Sequence, residues 1–220
     1  MAMFSLPYKN KFLAPDGDSI QTDNQRRKLI KLASAGSALA AGAALNLAPT
    51  ISSAQDNRTR YGIVGQIAPE LEVGIWRNSA EENTEFSINE ARGKWVFLKC
   101  WQSWCPGCHS AGFPTLQAVQ KAFNGHPKVE IAAIQTVFEG FGINTEDKLA
   151  EIRDRYSLEI PMGHDAGNKG ADDYRPSTMR LYRTGGTPWL ILIAPDGTVV
   201  FNDFHVNTEK LIEYVQEQIA

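Results

Sequence analysis

Two cysteines separated by a proline and a glycine, Cys105-Pro106-Gly107-Cys108, carry the plainest chemistry in this 220-residue chain. Thiols at that spacing can close a small disulfide ring and open it again, and so can trade electrons with another disulfide by swapping S–S bonds. The exchange needs a thiolate, which the start of a helix favours through its free backbone N–H groups and its dipole. Cys100 lies in the run Trp95-Val96-Phe97-Leu98-Lys99-Cys100-Trp101, where strand alternation predicts a buried, inert thiol. Three cysteines are too few for a disulfide-stapled scaffold.

The elements around the pair decide where it sits. The β-rich run Trp95 to Trp101 leads into it, and a helix over about Ala111 to Phe123 follows, with Leu116, Val119 and Phe123 on one face. Val129 to Thr136 predicts a second strand and Glu146 to Tyr156 another helix, an order that implies a right-handed βαβ unit in an α/β protein. Upstream, a short strand is expected near Glu72 to Trp76, followed by a polar excursion to a turn at Gly93. The stretch from Met162 to Gly186, rich in Gly, Asp and Arg, predicts at most one or two short helices. Trp189 to Ile193 then reads as a buried strand, Pro195-Asp196-Gly197 as a turn and Thr198 to Phe201 as the return strand. A last amphipathic helix starts at Thr208 with Leu211, Ile212, Val215 and Ile219 on its apolar side.

In this setting the chain resembles the thioredoxin-like superfamily, specifically the TlpA/ResA type of exported thiol–disulfide oxidoreductases related to the AhpC/TSA redoxins. The residues that carry the resemblance span about Gly65 to Ala220. They are Gly65-x-x-Ala68-Pro69, Gly93-Lys94, Trp101-x-x-Trp104-Cys105-Pro106-x-Cys108, Gly185-Gly186-Thr187-Pro188 and Pro195-Asp196-Gly197. The resemblance implies a thioredoxin-like fold, a central mixed β-sheet flanked by helices with an N-terminal β extension. It further implies that Cys105 is the exposed nucleophile, Cys108 the buried resolving thiol and Pro188 a cis residue beside them. The backbone at Thr187 would pair with an extended substrate strand, with Pro106, Gly107 and one wall at Trp104 completing the groove. Protein thiols and disulfides would be the substrates, with a membrane or periplasmic electron donor, and the resemblance favours a reductant. Two departures stand out: Pro114 falls one residue later than the kink proline of most such helices, implying an extra residue or a different start, and the stretch from Gly163 to Arg183 is long.

Residues 1–54 read as an export signal. Gln25-Arg26-Arg27-Lys28-Leu29-Ile30-Lys31 precedes an uncharged Ala/Gly-rich run, and Ser52-Ser53-Ala54 offers a cleavage site. The order of arginines, apolar pair and lysine resembles a twin-arginine signal. Residues 55–64 would be a flexible linker and 65–220 the domain, placed in the periplasm; the alternative is an uncleaved anchor, the only membrane contact expected. The first 54 residues hold six basic and three acidic residues, leaving 16 basic against 22 acidic ones, which argues against a nucleic-acid partner.

The same residues admit other chemistries. Cys105-x-x-Cys108-His109 is also the attachment motif of a c-type haem, which would take His109 and a methionine such as Met162 or Met179 as axial ligands in a mostly helical chain; here the motif follows a core strand. His109 is instead expected at a first helical turn, facing solvent. A peroxiredoxin-like peroxidase shares Pro106-Gly107-Cys108 and the Pro195 hairpin, but where such sites resemble Thr or Ser three residues earlier, this chain has Cys105. A structural zinc needs four ligands, and scattered His126, His164 and His205 supply no second pair. No metal or other cofactor is expected. The remaining alternative is a non-catalytic thioredoxin-like binding module.

Overall fold

The computed structural model describes residues 61–220 apart from Lys169 and Ala171. The signal expected over residues 1–54 and most of the linker over 55–64 lie outside the described residues.

Six strands form one mixed sheet: β1 (Ile75–Arg77), β2 (Trp95–Trp101), β3 (Val129–Val137), β4 (Met162–Ala166), β5 (Trp189–Ile193) and β6 (Val199–Asp203), in the spatial order β1-β4-β3-β2-β5-β6. The middle three, β4, β3 and β2, run parallel, and β1, β5 and β6 pair antiparallel to their neighbours. The helices are α1 (Phe113–Phe123), α2 (Lys148–Tyr156), α3 (Ser177–Leu181) and α4 (Thr208–Ile219). All seven residues of β2 are buried, as a strand covered on both faces requires. Its alternation splits them: Phe97 and Trp101 join Phe113, Leu116, Leu149 and Leu211 beneath α1, α2 and α4, while Val96, Leu98 and Cys100 meet Ile63, Trp76, Ile88 and Tyr182 on the other face. Cys100 is fully buried, and burial pushes its thiol up to about 12, the inert thiol expected.

Three features differ from the expectations. Met162–Ala166 is a strand, parallel to β3 in the register Gln135↔His164, whereas its Met-Gly-His-Asp-Ala sequence has neither β-branched residues nor alternation; pairing on both edges supplies what propensity does not. The strand expected at Glu72 to Trp76 is shifted to Ile75–Arg77. The helix that follows Cys105 begins with a π-helical turn, Cys108–Gly112, in which the Phe113 N–H donates to the Cys108 carbonyl five residues back. That wide turn absorbs the residue that displaces Pro114. It also fits the proline, which donates no N–H and whose ring crowds the carbonyl four residues earlier in a regular helix.

Candidate active site

Central β2 ends at Trp101, and the chain leaves the sheet through Gln102-Ser103-Trp104 before the helical turn opens at Pro106. A polar network holds this exit. Buried Gln102 donates from Nε2 to the Thr136 carbonyl at 2.9 Å, and buried Asn144 accepts at Oδ1 from the Ser103 N–H at 2.7 Å and from Ser103 Oγ at 2.8 Å. Asn144 Nδ2 donates to Gln102 Oε1 and to the Glu139 carbonyl, so one amide ties the exit loop to the β3–α2 connection. Glu139 itself is exposed.

His109 is not turned to solvent as expected. It is half-buried, with Nδ1 2.7 Å from Tyr156 Oη and Nε2 2.6 Å from the Ser103 carbonyl, and its ring lies against Phe113 and Tyr156. Nε2 therefore donates to the carbonyl and Nδ1 accepts from the tyrosine hydroxyl, clamping the π-turn to the exit loop. A ring so engaged at both nitrogens offers no lone pair to a haem iron.

Pro106 stands at the first helical position, where a missing N–H costs nothing, so Cys105 takes the place of the N-cap. Its Sγ accepts from the Cys108 N–H at 3.3 Å, as a capping serine would, and the thiol donates to the Thr187 carbonyl at 3.4 Å. Cys105 keeps 6 % exposure and Cys108 none, so the nucleophile expected to be exposed is itself nearly buried. Burial first, then the Cys105 thiol, hold Cys108 above the ordinary thiol range.

The Thr187–Pro188 peptide is cis, and Pro188 covers the turn closely: a Cβ added at Gly107 would lie 3.0 Å from Pro188 Cδ, and one at Gly112 would lie 3.0 Å from Pro188 Cβ. Cys105, Cys108, Gly107, Thr187 and Pro188 thus come together, and Pro106 is exposed at their rim. Trp104 is 44 % exposed, its indole set against Gly140 of the β3–α2 connection.

A sequence model of the AhpC/TSA family matches residues 64–202, which include every one of these positions. The chain belongs to the AhpC/TSA family. Among family relatives, the chain is 26 % identical to the thiol-disulfide oxidoreductase ResA of Bacillus cereus over 137 residues, 62 % of this chain and 70 % of that one. ResA of Bacillus anthracis is 24 % identical over 139 residues, 63 % of this chain and 71 % of the relative. A crystal structure of a thioredoxin-like superfamily protein superposes with a TM-score of 0.60 at 33 % identity, covering 69 % of this chain and 94 % of its own. A thiol-disulfide isomerase from Corynebacterium glutamicum superposes with a TM-score of 0.60 at 27 % identity, covering 70 % and 95 %. The mixed sheet flanked by helices is therefore the thioredoxin-like fold, and this AhpC/TSA member is of the ResA type.

Sequence reasoning passed over four members of the site. Lys99 lies buried beneath the π-turn, where the Cβ built at Gly112 would come 3.1 Å from Lys99 Cε. A lone charge inside an apolar strand run was the signal for it. Gly112, Asn144 and Tyr156 carried none, since only the folded chain sets them against Pro188, Ser103 and His109.

Proposed function

We propose that this protein is an exported thiol–disulfide oxidoreductase that reduces disulfides of partner proteins through the Cys105–Cys108 pair. The observation that carries the reading is the position of Cys105 Sγ, between the Cys108 N–H and the Thr187 carbonyl that precedes Pro188. Negative charge on that sulfur, as it attacks or leaves, faces a backbone donor at a helix start. The Cys105 thiolate attacks a partner disulfide to give a mixed disulfide, and Cys108 then attacks Cys105 Sγ, closing the enzyme's disulfide and releasing the partner as a thiol. Backbone at Thr187 pairs with an extended partner segment, while Trp104, Pro106 and Gly107 form the rim of the groove. Names of ResA-type relatives support the substrate class, protein thiols and disulfides.

Replacing Cys105 with Ser abolishes insulin-disulfide reduction, and replacing Cys108 with Ser leaves a mixed disulfide that accumulates and shows as a shifted band on a non-reducing gel. Retained turnover in the Cys105 variant contradicts the assignment. A reduction potential near that of thioredoxin marks a reductase, and one near that of DsbA an oxidant. Export through the twin-arginine-like segment predicts a mature N-terminus after Ala54, which N-terminal sequencing of exported protein reads directly. No helix among the described residues is long and apolar enough to cross a membrane.

The family also bears on a peroxidase reading, in which Cys108 would react with peroxide. Cys108 has no exposed surface and Cys105 stands three residues before it, so the geometry supports exchange. Negligible hydrogen peroxide turnover beside insulin reduction separates the two.

A further inference from the structure

Lys99 is an anomaly that disulfide exchange through two cysteines does not by itself explain. It is the charged member of the buried strand β2, 2 % exposed, and its strand neighbours in register are Leu190 on β5 and Ala133 on β3. Alternation puts it on the face of Phe97 and Trp101, beneath the π-turn, not on the face of Cys100. No carboxylate answers it: no ion pair or hydrogen bond of Lys99 is found among the described residues, and the ionisable groups that act on it are Cys108, Cys100 and Cys105. An ammonium buried without a counterion is costly by solvation alone, so an apolar residue would serve packing better.

The site makes room for it. Gly112 closes the π-turn, and a Cβ there would lie 3.1 Å from Lys99 Cε, 3.5 Å from Lys99 Nζ and 3.0 Å from Pro188 Cβ. Gly112 has an ordinary helical φ of -62°, so its backbone does not demand glycine; the space does. The amine end of Lys99 therefore occupies the gap between the active-site turn and Pro188. Cys108, the thiol that must lose its proton to resolve a mixed disulfide, has no exposed surface from which water could take it.

We propose that Lys99 is the catalytic base of the resolving step: from the space left by Gly112 its amine takes the proton of Cys108 and steadies the resulting thiolate. The inference rests on the reading of Cys105 and Cys108 as an exchanging pair. In the mixed disulfide Cys108 is a neutral thiol and Lys99 a neutral amine. The proton passes from Cys108 to Lys99, and the Cys108 thiolate attacks Cys105 Sγ. The Cys105–Cys108 bond forms, the bond from Cys105 to the partner sulfur breaks, and that sulfur leaves with the electron pair as a thiolate. Water protonates the leaving thiolate, and the ammonium returns its proton to solvent. Two electrons have moved from the enzyme's dithiol to the partner's disulfide. Burial brings Lys99 down to about 8, against the opposing pull of thiolate charge at Cys108, Cys100 and Cys105, so both its forms are accessible near neutrality. The flanking strands contribute no titratable group in register with it, only Leu190 and Ala133.

Reaction of the reduced protein with 5,5′-dithiobis(2-nitrobenzoate) separates the steps. Attack by Cys105 releases one thionitrobenzoate and resolution by Cys108 releases the second, so stopped-flow absorbance reads both. In Lys99→Met the first release stays within about twofold of wild type and the second slows by about 10²-fold at neutral pH, the usual scale of a lost acid–base group. An unchanged second release at every pH, or both releases slowed alike, overturns the proposal. Absence of two releases in wild type overturns the exchange reading instead. Should Lys99→Met fail to fold, wild-type protein with 13C-labelled lysine still answers. The Lys99 Cε signal titrates near 8 in the dithiol form and at lower pH in the disulfide form, which has lost the Cys105 and Cys108 thiols whose charge favours the ammonium. Identical midpoints in the two forms overturn the proposal.

Discussion

A lysine and a cysteine adjacent on β2 point to opposite faces of the sheet, and their chemistry diverges accordingly. Cys100 is sealed among apolar side chains with its thiol pushed up to about 12, whereas Lys99 reaches the gap between Gly112 and Pro188. Retaining a lysine there has a measurable cost. Burial lowers Lys99 from 10.5 to about 8, so between these values the unfolded chain holds a proton that the folded chain has released, and stability rises with pH across that window. Below about 8 the destabilisation is fully present, and the shift corresponds to roughly 3 kcal/mol. Lys99→Met is therefore expected to unfold at higher denaturant concentration than wild type at pH 7, by about 1–3 kcal/mol, with the advantage fading between about pH 8 and 10.5. Urea titrations at a series of pH values check this, and a variant less stable than wild type at pH 7 would contradict it. Stability sacrificed at a buried position where activity improves is a common trade in active sites.

At the level of elements, the π-turn and the exit loop fix the sulfurs. The turn carries one residue more than a regular helical start, and Gly112 lets it sit flush on Pro188 and Lys99. Gly112→Ala gains about 0.4–1 kcal/mol from a stiffer unfolded chain, but the added methyl meets two neighbours at 3.0 and 3.1 Å, an overpacking that costs about 1–3 kcal/mol. Net destabilisation with slowed disulfide exchange is expected, read from denaturant midpoints and insulin turnover. Asn144 works through hydrogen bonds. Asn144→Ala strands the Ser103 N–H and a buried Gln102 oxygen and is expected to cost about 1–3 kcal/mol. Amide hydrogen exchange localises the loss: faster exchange at Ser103 and around Gly140 with β5 and β6 unchanged is the expected pattern, and uniform acceleration would contradict it.

For the whole molecule, the strength of the redox couple and the stability of the fold are linked. A reductant is a protein whose disulfide form is favoured on folding, whereas an oxidant of the DsbA kind stabilises its dithiol form. The reductase reading therefore predicts that the Cys105–Cys108 disulfide form unfolds at the higher urea concentration, and the reverse order would mark an oxidant. The same scale shows how much was legible beforehand. Cys105-x-x-Cys108 behind an apolar strand run and Thr187-Pro188 ahead of another were sufficient to read the strands that flank them, because strand alternation and cysteine spacing are local properties, whereas the placing of Pro188 beside the thiols came from the family resemblance. β4 was not legible, since Met-Gly-His-Asp-Ala becomes a strand only when β3 and β1 pair with its two edges. Nor was the setting of His109, whose two nitrogens are fixed by Tyr156 and Ser103 from different elements.

The amino-acid sequence by itself determined the close spacing of Cys105 and Cys108, the Thr187-Pro188 step and the α/β order, each written in residues close together along the chain. Only the tertiary structure decided that the extra residue before Pro114 widens a helical turn and that Lys99 shares a gap with Gly112 and Pro188. Those are facts of distance between segments far apart in sequence, and burial, which turns a lysine from a solvated charge into a proton acceptor, exists only once the segments have closed around it.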